Sequence, residues 1–341
     1  MLFPGKFCGI IEKWKKENDC FLRYEEGLSM NQTLVIGSAV VDVIVRVEHL
    51  PKCGEDVHVS RQSRSLGGCA YLVSDILRHF GAPYSLCTAV GGGMYGDFVY
   101  EQLKKRGVPI YVRKPEEENG CCYCLVEDEG DGERSFIVDH GIEYTFYESY
   151  LENIDTDSID SVYICGLEIE EYTGWEIINY LEKHPEYTVY FAPGPRIMRI
   201  PTDRVEKLLS LGVILHLNEG ESMAFTGKDT VEEAAKEIFR RTGSPVVITL
   251  GEKGSLAYDG KEIFFAPPVK TSVVDTIGAG DSHAGAVISA RRFGLSWQEA
   301  ITAANYVSAA VVAKEGGQLE DGDFAKVLES LPSDLREKIE K

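Results

Sequence analysis

The sequence predicts an α/β protein: a mostly parallel central sheet flanked by helices on both faces, with a small β flap inserted. Apolar, β-rich runs recur at 33–46, 84–90, 109–113, 161–166, 187–192, 212–217 and 245–250. Helix-period segments lie between them, at 70–80, 97–106, 172–183, 203–210, 231–242, 281–293 and 297–313. Alternation of this kind is how parallel strands joined by crossover helices read in sequence. Two stretches, 55–64 and 121–138, alternate with polar residues instead, and the second turns at Glu129-Gly130-Asp131-Gly132. These supply the flap.

Residues 1–29 stand apart from this pattern. They are lysine-rich and mixed in charge, and Met30 leads at once into the strand-like run TLVIGSAVVDVIV. Glu25-Glu26-Gly27 can be encoded by a purine-rich stretch of the kind found in a bacterial ribosome-binding site, just upstream of Met30. Two readings stay open: a translated leader with Met30 as the natural start, and a peripheral N-terminal helix. From 30 to 341 no repeat, linker or shift of composition marks a boundary, so one domain is expected.

The bulk properties narrow the function. A chain of 341 residues can bury a real core. Its formal charge of −20 argues against a nucleic-acid or anionic-membrane surface, which needs clustered Lys and Arg. An anionic substrate is still allowed, because local N–H dipoles can outweigh the global charge. No apolar run approaches the roughly 18 residues needed to cross a bilayer. Lys13, Lys15 and Lys16 stand where a signal peptide would carry its apolar stretch. Nine cysteines without a framework spacing suggest reduced thiols and a cytoplasmic home. Cys121-Cys122-Tyr123-Cys124 lacks a second paired set and sits in a strand-like run, so it reads as strand and not as zinc site.

The most telling stretch is Asp275-Thr-Ile-Gly278-Ala279-Gly280-Asp281-Ser-His-Ala-Gly-Ala286. A glycine turn opening a helix directs unpaired N–H groups at an incoming anion, and phosphate suits it. An acid placed there can deprotonate a hydroxyl beside a phosphoryl group. The plainer reading is a glycine-rich cap with an ordinary first-turn aspartate. Four features converge with it: Gly37-Ser38 with Asp42, Gly67-Gly68 before a helix, Asn218-Glu-Gly-Glu221 after a strand, and Thr249-Leu-Gly251-Glu-Lys-Gly254. For the third, the bland reading is a plain helix N-cap. Gly91-Gly-Gly93-Met-Tyr-Gly96 formally fits a dinucleotide fingerprint, but it lies too far along the chain and lacks the following acidic strand end. No Walker A or HExxH motif is present.

Taken in order, GSAVVD (37–42), GG (67–68), VGGGMYGD (90–97), NEGE (218–221), ITLGEKG (248–254) and DTIGAGDSHAGA (275–286) resemble the ribokinase/PfkB family of carbohydrate kinases. The resemblance runs from about Leu34 to Leu319, and within the family it is nearest to uncharacterised bacterial sugar kinases sharing GGCA, DGER and DTIGAGDSHAG. It implies a ribokinase-like fold with a β lid over the sugar. The implied reaction is ATP-dependent transfer to a hydroxymethyl group, with Mg²⁺ and potassium.

Carried over by motif, Asp281 is the general base, and Gly278, Ala279 and Gly280 form the anion hole. Asn218 and Glu221 organise Mg²⁺ and phosphate, largely through water, while Thr249, Gly251 and Gly254 match the nucleotide turn. Asp42, Gly67, Gly68 and Glu168 match sugar contacts, and Asp275, the Ile277 carbonyl and the Gly316 loop match the monovalent-cation site. Dimerisation through the lid is a further family-level expectation.

Departures cluster around the acceptor. Leu72 and Val40 replace sugar-binding Asn residues, which puts ribose itself in doubt. His283 replaces a common Phe and is expected to pack, and Arg196, after Pro193-Gly-Pro195, is expected at the surface. A free-sugar kinase is the leading reading. A ribonucleoside kinase using the apolar Leu72 side, and a silent sugar sensor, stand behind it.

Overall fold

The computed structural model describes residues 31–128 and 134–340, so the 1–29 extension and the 129–132 turn lie outside the described residues. Its strands are β1 (Gln32–Ile36), β2 (Val40–Val47), β3 (Val59–Gly67), β4 (Tyr84–Cys87), β5 (Ala89–Gly92), β6 (Val112–Glu118) and β7 (Cys121–Glu127). They continue as β8 (Arg134–Asp139), β9 (Ile159–Cys165), β10 (Thr188–Ala192), β11 (Ile214–Asn218), β12 (Val246–Thr249), β13 (Ser255–Tyr258) and β14 (Ile263–Ala266). The helices begin with α1 (Cys69–Phe80), α2 (Gly93–Lys105), α3 (Gly166–Glu170), α4 (Gly174–Lys183), α5 (Thr202–Ser210) and α6 (Glu219–Thr226). After these come α7 (Val231–Thr242), α8 (Ala279–Arg292), α9 (Trp297–Val312), α10 (Asp321–Ser330) and α11 (Ser333–Ile339).

The central sheet has eight strands in the order β14-β13-β12-β11-β10-β9-β1-β4. From β12 to β4 it is parallel, and β13 and β14 add an antiparallel edge. Successive residues of a strand face opposite sides, and this divides the core in two. Val35, Tyr163 and Val247 join α1, α8 and α9 on one face, while Leu34, Val162, Leu215 and Ile248 join α4, α5 and α7 on the other. Full burial of such a side chain contributes roughly 1.5–3 kcal/mol. Strands apolar on both faces therefore commit the sheet to two helical layers.

Four departures from the sequence expectation stand out. The 33–46 run is two strands. Gly37 turns the chain with φ 146°, and a β-carbon there would lie 2.8 Å from Glu168 Oε1. Beyond this turn β2 leaves the central sheet for a separate four-stranded one, ordered β3-β2-β7-β8. The 84–90 run divides likewise, with β4 beside β1 and β5 paired to β6, and the strand expected at 109–113 begins at Val112. The hairpin of β13 and β14 was not expected, and Asp259 turns it by accepting the Lys261 and Glu262 N–H groups, each at 2.8 Å. No described helix is long and apolar enough to cross a membrane.

Candidate active site

Parallel register brings the carboxyl ends of β1, β9, β11 and β12 to one edge of the sheet, where α/β folds bind ligands. Gly37, Cys165, Asn218 and Thr249 mark that edge. The small sheet meets it through β2, whose first residues follow directly on Gly37.

Where β2 meets β3, Asp42 lies against Gly67. A β-carbon on Gly67 would come within 1.9 Å of Asp42 Oδ2, and one on Gly68 within 2.4 Å of the Ser38 carbonyl. Gly68, with φ 99°, starts α1 without a side-chain cap. The Asp42 carboxyl is pushed up to about 7, first by desolvation and then by the charges of Asp281 and Asp275. Glu168 is fully enclosed. Its Oε1 accepts the Ser38 N–H at 2.8 Å, and its Oε2 accepts the Cys165 thiol. Glu168 therefore holds the β1–β2 turn from beneath, and both of its oxygens are engaged.

Asp281 stands half-buried in the first turn of α8, with its carboxyl pushed up to about 6 by desolvation and by Glu168. Gly278 caps this helix at φ 71°, and Gly280 is exposed with nothing within 4 Å of a β-carbon position. The Ala279 N–H reaches the Thr276 carbonyl at 3.3 Å, a long bond. Asp275 is buried; its Oδ1 accepts the Ile277 N–H at 2.7 Å and its Oδ2 the Gly316 N–H at 2.8 Å. It thus ties the 275–277 loop to the 316–317 turn. Leu72 is buried, and a β-carbon on Gly278 or Gly317 would lie 3.1 or 3.2 Å from its Cδ1. It packs under the glycine turn and offers no open apolar wall.

At the ends of β11 and β12, Asn218 and Glu221 form a reciprocal capping box on α6, with bonds of 2.8 and 2.9 Å. The bland N-cap reading is thus realised in the geometry. Thr249 lies opposite Asn218 in the register, and Gly251 (φ 58°) and Gly254 (φ 102°) turn the chain after it. A cavity of about 380 Å³ opens beside this turn, lined by residues including Glu219, Leu250, Lys253 and Phe265. Lys253 Nζ spans to Glu219 at 3.1 Å. Among the described residues, no group of three or more His, Cys, Asp or Glu gathers to hold a metal.

The remaining sequence candidates have structural partners. Arg196 pairs with Glu170 at 3.0 Å. His283 is buried, 2.8 Å from His216 and 3.2 Å from Asn305 Oδ1. The Asn305 amide donates to the Ala266 and Pro267 carbonyls. Its Oδ1 therefore accepts from His283 Nε2, leaving Nδ1 to accept from His216. Burial lowers the pKa of both imidazoles, in keeping with two neutral rings. The glycines of Gly91–Gly96 serve close packing: β-carbons on Gly92 and Gly96 would each lie 2.1 Å from a carbonyl oxygen. Sequence reasoning passed over Cys69, although it directly follows Gly67-Gly68; its neighbour Cys165 holds the thiol pKa down, and burial with the charges of Asp281 and Glu168 outweighs this and pushes it up.

Comparison with known proteins agrees with the fold. The family described as pfkB family carbohydrate kinase matches residues 30–321. An uncharacterized sugar kinase of Escherichia coli (strain K12), YegV, is 29% identical over 288 residues, covering 83% of this chain and 89% of its own. The fold is shared with Arabidopsis thaliana ribokinase complexed with ribose and ATP, at TM-score 0.71, 23% identity and coverage of 87% of this chain and 98% of that one. It is also shared with Burkholderia thailandensis nucleoside kinase in complex with inosine, at TM-score 0.72, 18% identity and coverage of 87% and 97%. The chain belongs to the pfkB family of carbohydrate kinases, phosphotransferases that act on sugar hydroxyl groups.

Proposed function

We propose that the protein phosphorylates a hydroxymethyl group of a small free sugar at the expense of ATP, with Asp281 as general base. The observation that carries this is a half-buried Asp281 carboxylate, its proton affinity raised to about 6, at the mouth of a glycine turn and within the field of Asp42. A base with a pKa close to the working pH takes a proton effectively. Asp281 removes the acceptor proton, the freed oxygen attacks the γ-phosphorus, and the bond to the ADP oxygen breaks. The N–H groups of Gly278, Ala279 and Gly280 receive the developing charge, an effect worth roughly 3–4 kcal/mol per key donor in measured cases. Asp42 and the backbone at Gly67 and Gly68 hold the sugar, while Glu168 sets the turn on which Asp42 follows.

Thr249, Gly251 and Gly254 take the nucleotide, beside the cavity under Lys253. Mg²⁺ suits the site, because it keeps several waters and needs few protein carboxylates, here Glu221 beside Asn218. When bound it neutralises charge on the phosphates. Ile277 and the Gly316 loop, tied together by Asp275, suit a monovalent cation held through carbonyl oxygens, with potassium as the family-based choice. The small sheet serves as lid. Its exposed Val59, Phe136 and Ile137 fit pairing with a second copy, and free thiols such as Cys53 and Cys87 fit a reducing cytoplasm.

The nucleoside reading counted on an apolar wall at Leu72, and that side chain is buried. The test is ADP release with Mg²⁺ and K⁺ across D-ribose, D-fructose, D-glucose, 2-dehydro-3-deoxygluconate, adenosine and inosine. Turnover confined to sugars is expected. Turnover confined to nucleosides overturns the acceptor assignment, and none with any alcohol supports a sensor.

A further inference from the structure

The glycine run 91–96 and the buried Glu143 take no part in the chemistry proposed above, yet they meet where the small sheet joins the rest of the molecule. Four chain connections make that junction: β2 enters after Ala39, β3 leaves at Gly67-Gly68, β7 enters after Gly120, and β8 leaves through Asp139 to Gly141. Glu143 is fully enclosed, in the single helical turn that follows β8. Its Oε1 accepts the Gly120 and Gly141 N–H groups at 3.2 and 3.1 Å. Its Oε2 accepts the Gly120 N–H and the Asn119 side-chain amide, both at 2.9 Å. The same Asn119 nitrogen reaches the Ala39 carbonyl at 3.4 Å, and Asn119 Oδ1 accepts the Gly91 N–H of β5. Three of the four connections thus converge on one carboxylate–amide pair. The backbones meet there too closely for side chains: β-carbons on Gly120 and Gly141 would lie 1.8 Å from the Asp139 carbonyl oxygen and 2.2 Å from the Gly120 nitrogen.

We propose that Glu143 and Asn119 are positioning residues: together they set the angle at which the small sheet leaves the body, and through it the place of Asp42 relative to Asp281. This rests on the reading of Asp42 as a sugar contact and of the small sheet as lid. The coupling is short. Ala39 stands three residues before Asp42, and Cys121 and Cys122 lie beside Val41 and Asp42 in the register, so a shift at Gly120 passes straight to the acid. Ile44, Cys124 and Val126 of the small sheet pack with Ile277, so a changed angle also disturbs the loop that leads into α8. Hydrogen bonds to a charged group are stronger than neutral ones, and a buried carboxylate stripped of its donors is costly. The pair therefore keeps the three strand ends together, and rotation of the sheet is taken up outside it. Each carboxylate oxygen faces donors, so a glutamine amide, turned either way, sets its own N–H groups against a donor.

Hydrogen exchange and kinetics of the full chain test this. Glu143→Gln is expected to quicken amide exchange about 10-fold or more in β2, β7 and β8, with β9 and β12 of the central sheet unchanged. Asn119→Ala leaves the Gly120 and Gly141 bonds to Glu143 in place and is expected to quicken β2 in the same way. It carries the test if Glu143→Gln does not fold. With the alcohol that turns over fastest in the panel above, both variants are expected to raise KM for the alcohol about 10-fold while changing KM for ATP less than about 2-fold. Exchange that quickens in both sheets alike, or in neither, overturns the proposal, because a merely stabilising pair would loosen the whole fold. So does a wild-type alcohol KM in both variants when Asp42→Ala raises it. A wild-type alcohol KM in Asp42→Ala overturns the sugar-contact assignment instead, and the exchange pattern alone then decides the role of the pair.

Discussion

The carboxylate of Asp42 lies across Gly67, so close that a β-carbon there would sit 1.9 Å from Oδ2. The acid is thereby held between strands β2 and β3, facing the charges of Asp281 and Asp275. Its folded-state proton affinity, about 7, stands above the ordinary 3.8. The group costs stability when ionised above pH 7, and that cost fades as pH falls toward 4 and it becomes protonated. Asp42→Asn is therefore expected to unfold at higher denaturant than wild type at pH 8, by about 1–3 kcal/mol. The advantage should shrink as pH is lowered through 7 to 5. Chemical denaturation across that range checks it, and a constant offset refutes it.

Asp281 supplies the second prediction. Asp281→Asn should lower kcat by at least ~10² with little change in nucleotide affinity. In wild type, kcat/KM should fall as pH drops below about 6, where the carboxyl takes up its proton. Near-wild-type turnover in the variant would remove Asp281 from the mechanism.

Two glycines should respond in opposite ways to alanine. At Gly68 the new methyl meets the Ser38 carbonyl and the backbone has φ 99°, so Gly68→Ala should cost about 2 kcal/mol or more. Gly280 is helical with open space around it, so Gly280→Ala should gain roughly 0.5–1 kcal/mol. The same methyl should lower kcat, since it enters the space assigned to the phosphoryl group. Melting curves paired with rates check both, and a fully active Gly280→Ala variant argues against the anion hole.

Asn305 ties four groups together: Ser255, His283, and the carbonyls of Ala266 and Pro267. Asn305→Ala takes the amide from the buried Ser255 hydroxyl, His283 Nε2 and the Ala266 carbonyl, and should destabilise by about 2–4 kcal/mol. Unfolding in urea measures this directly. A loss under 1 kcal/mol would mean that water replaces the amide.

Much of the fold was legible because period carries it. Val231–Thr242 falls where the helical pattern put it, and the residues of β9 to β12 are apolar on both faces. The β1–β2 break was hidden, since Gly37 and Ser38 sit inside an otherwise unbroken apolar run and only the contact with Glu168 reveals the turn. Glycines at turns, such as Gly68 and Gly278, could be read from sequence because the backbone there needs them. Cys69 could not be read this way: a cysteine after two glycines is chemically silent until folding buries it within the field of Asp281 and Glu168. His283 shows the same limit, its two ring nitrogens being matched by His216 and Asn305 from distant segments.

The division at Gly37 sends one continuous run of chain into two separate sheets. Asp42 and the glycines of β3 belong to the small sheet and its junction, while Gly278 to Asp281 belong to a helix packed on the large one. On the proposed reading, choice of alcohol and movement of phosphate are thus housed in different parts of the molecule. A substitution such as Val40, inside the small sheet, can then retune the first without touching the Gly278 turn, whereas Leu72, packed under that turn, moves both together, so a lineage exchanges one nutrient for another more freely at Val40.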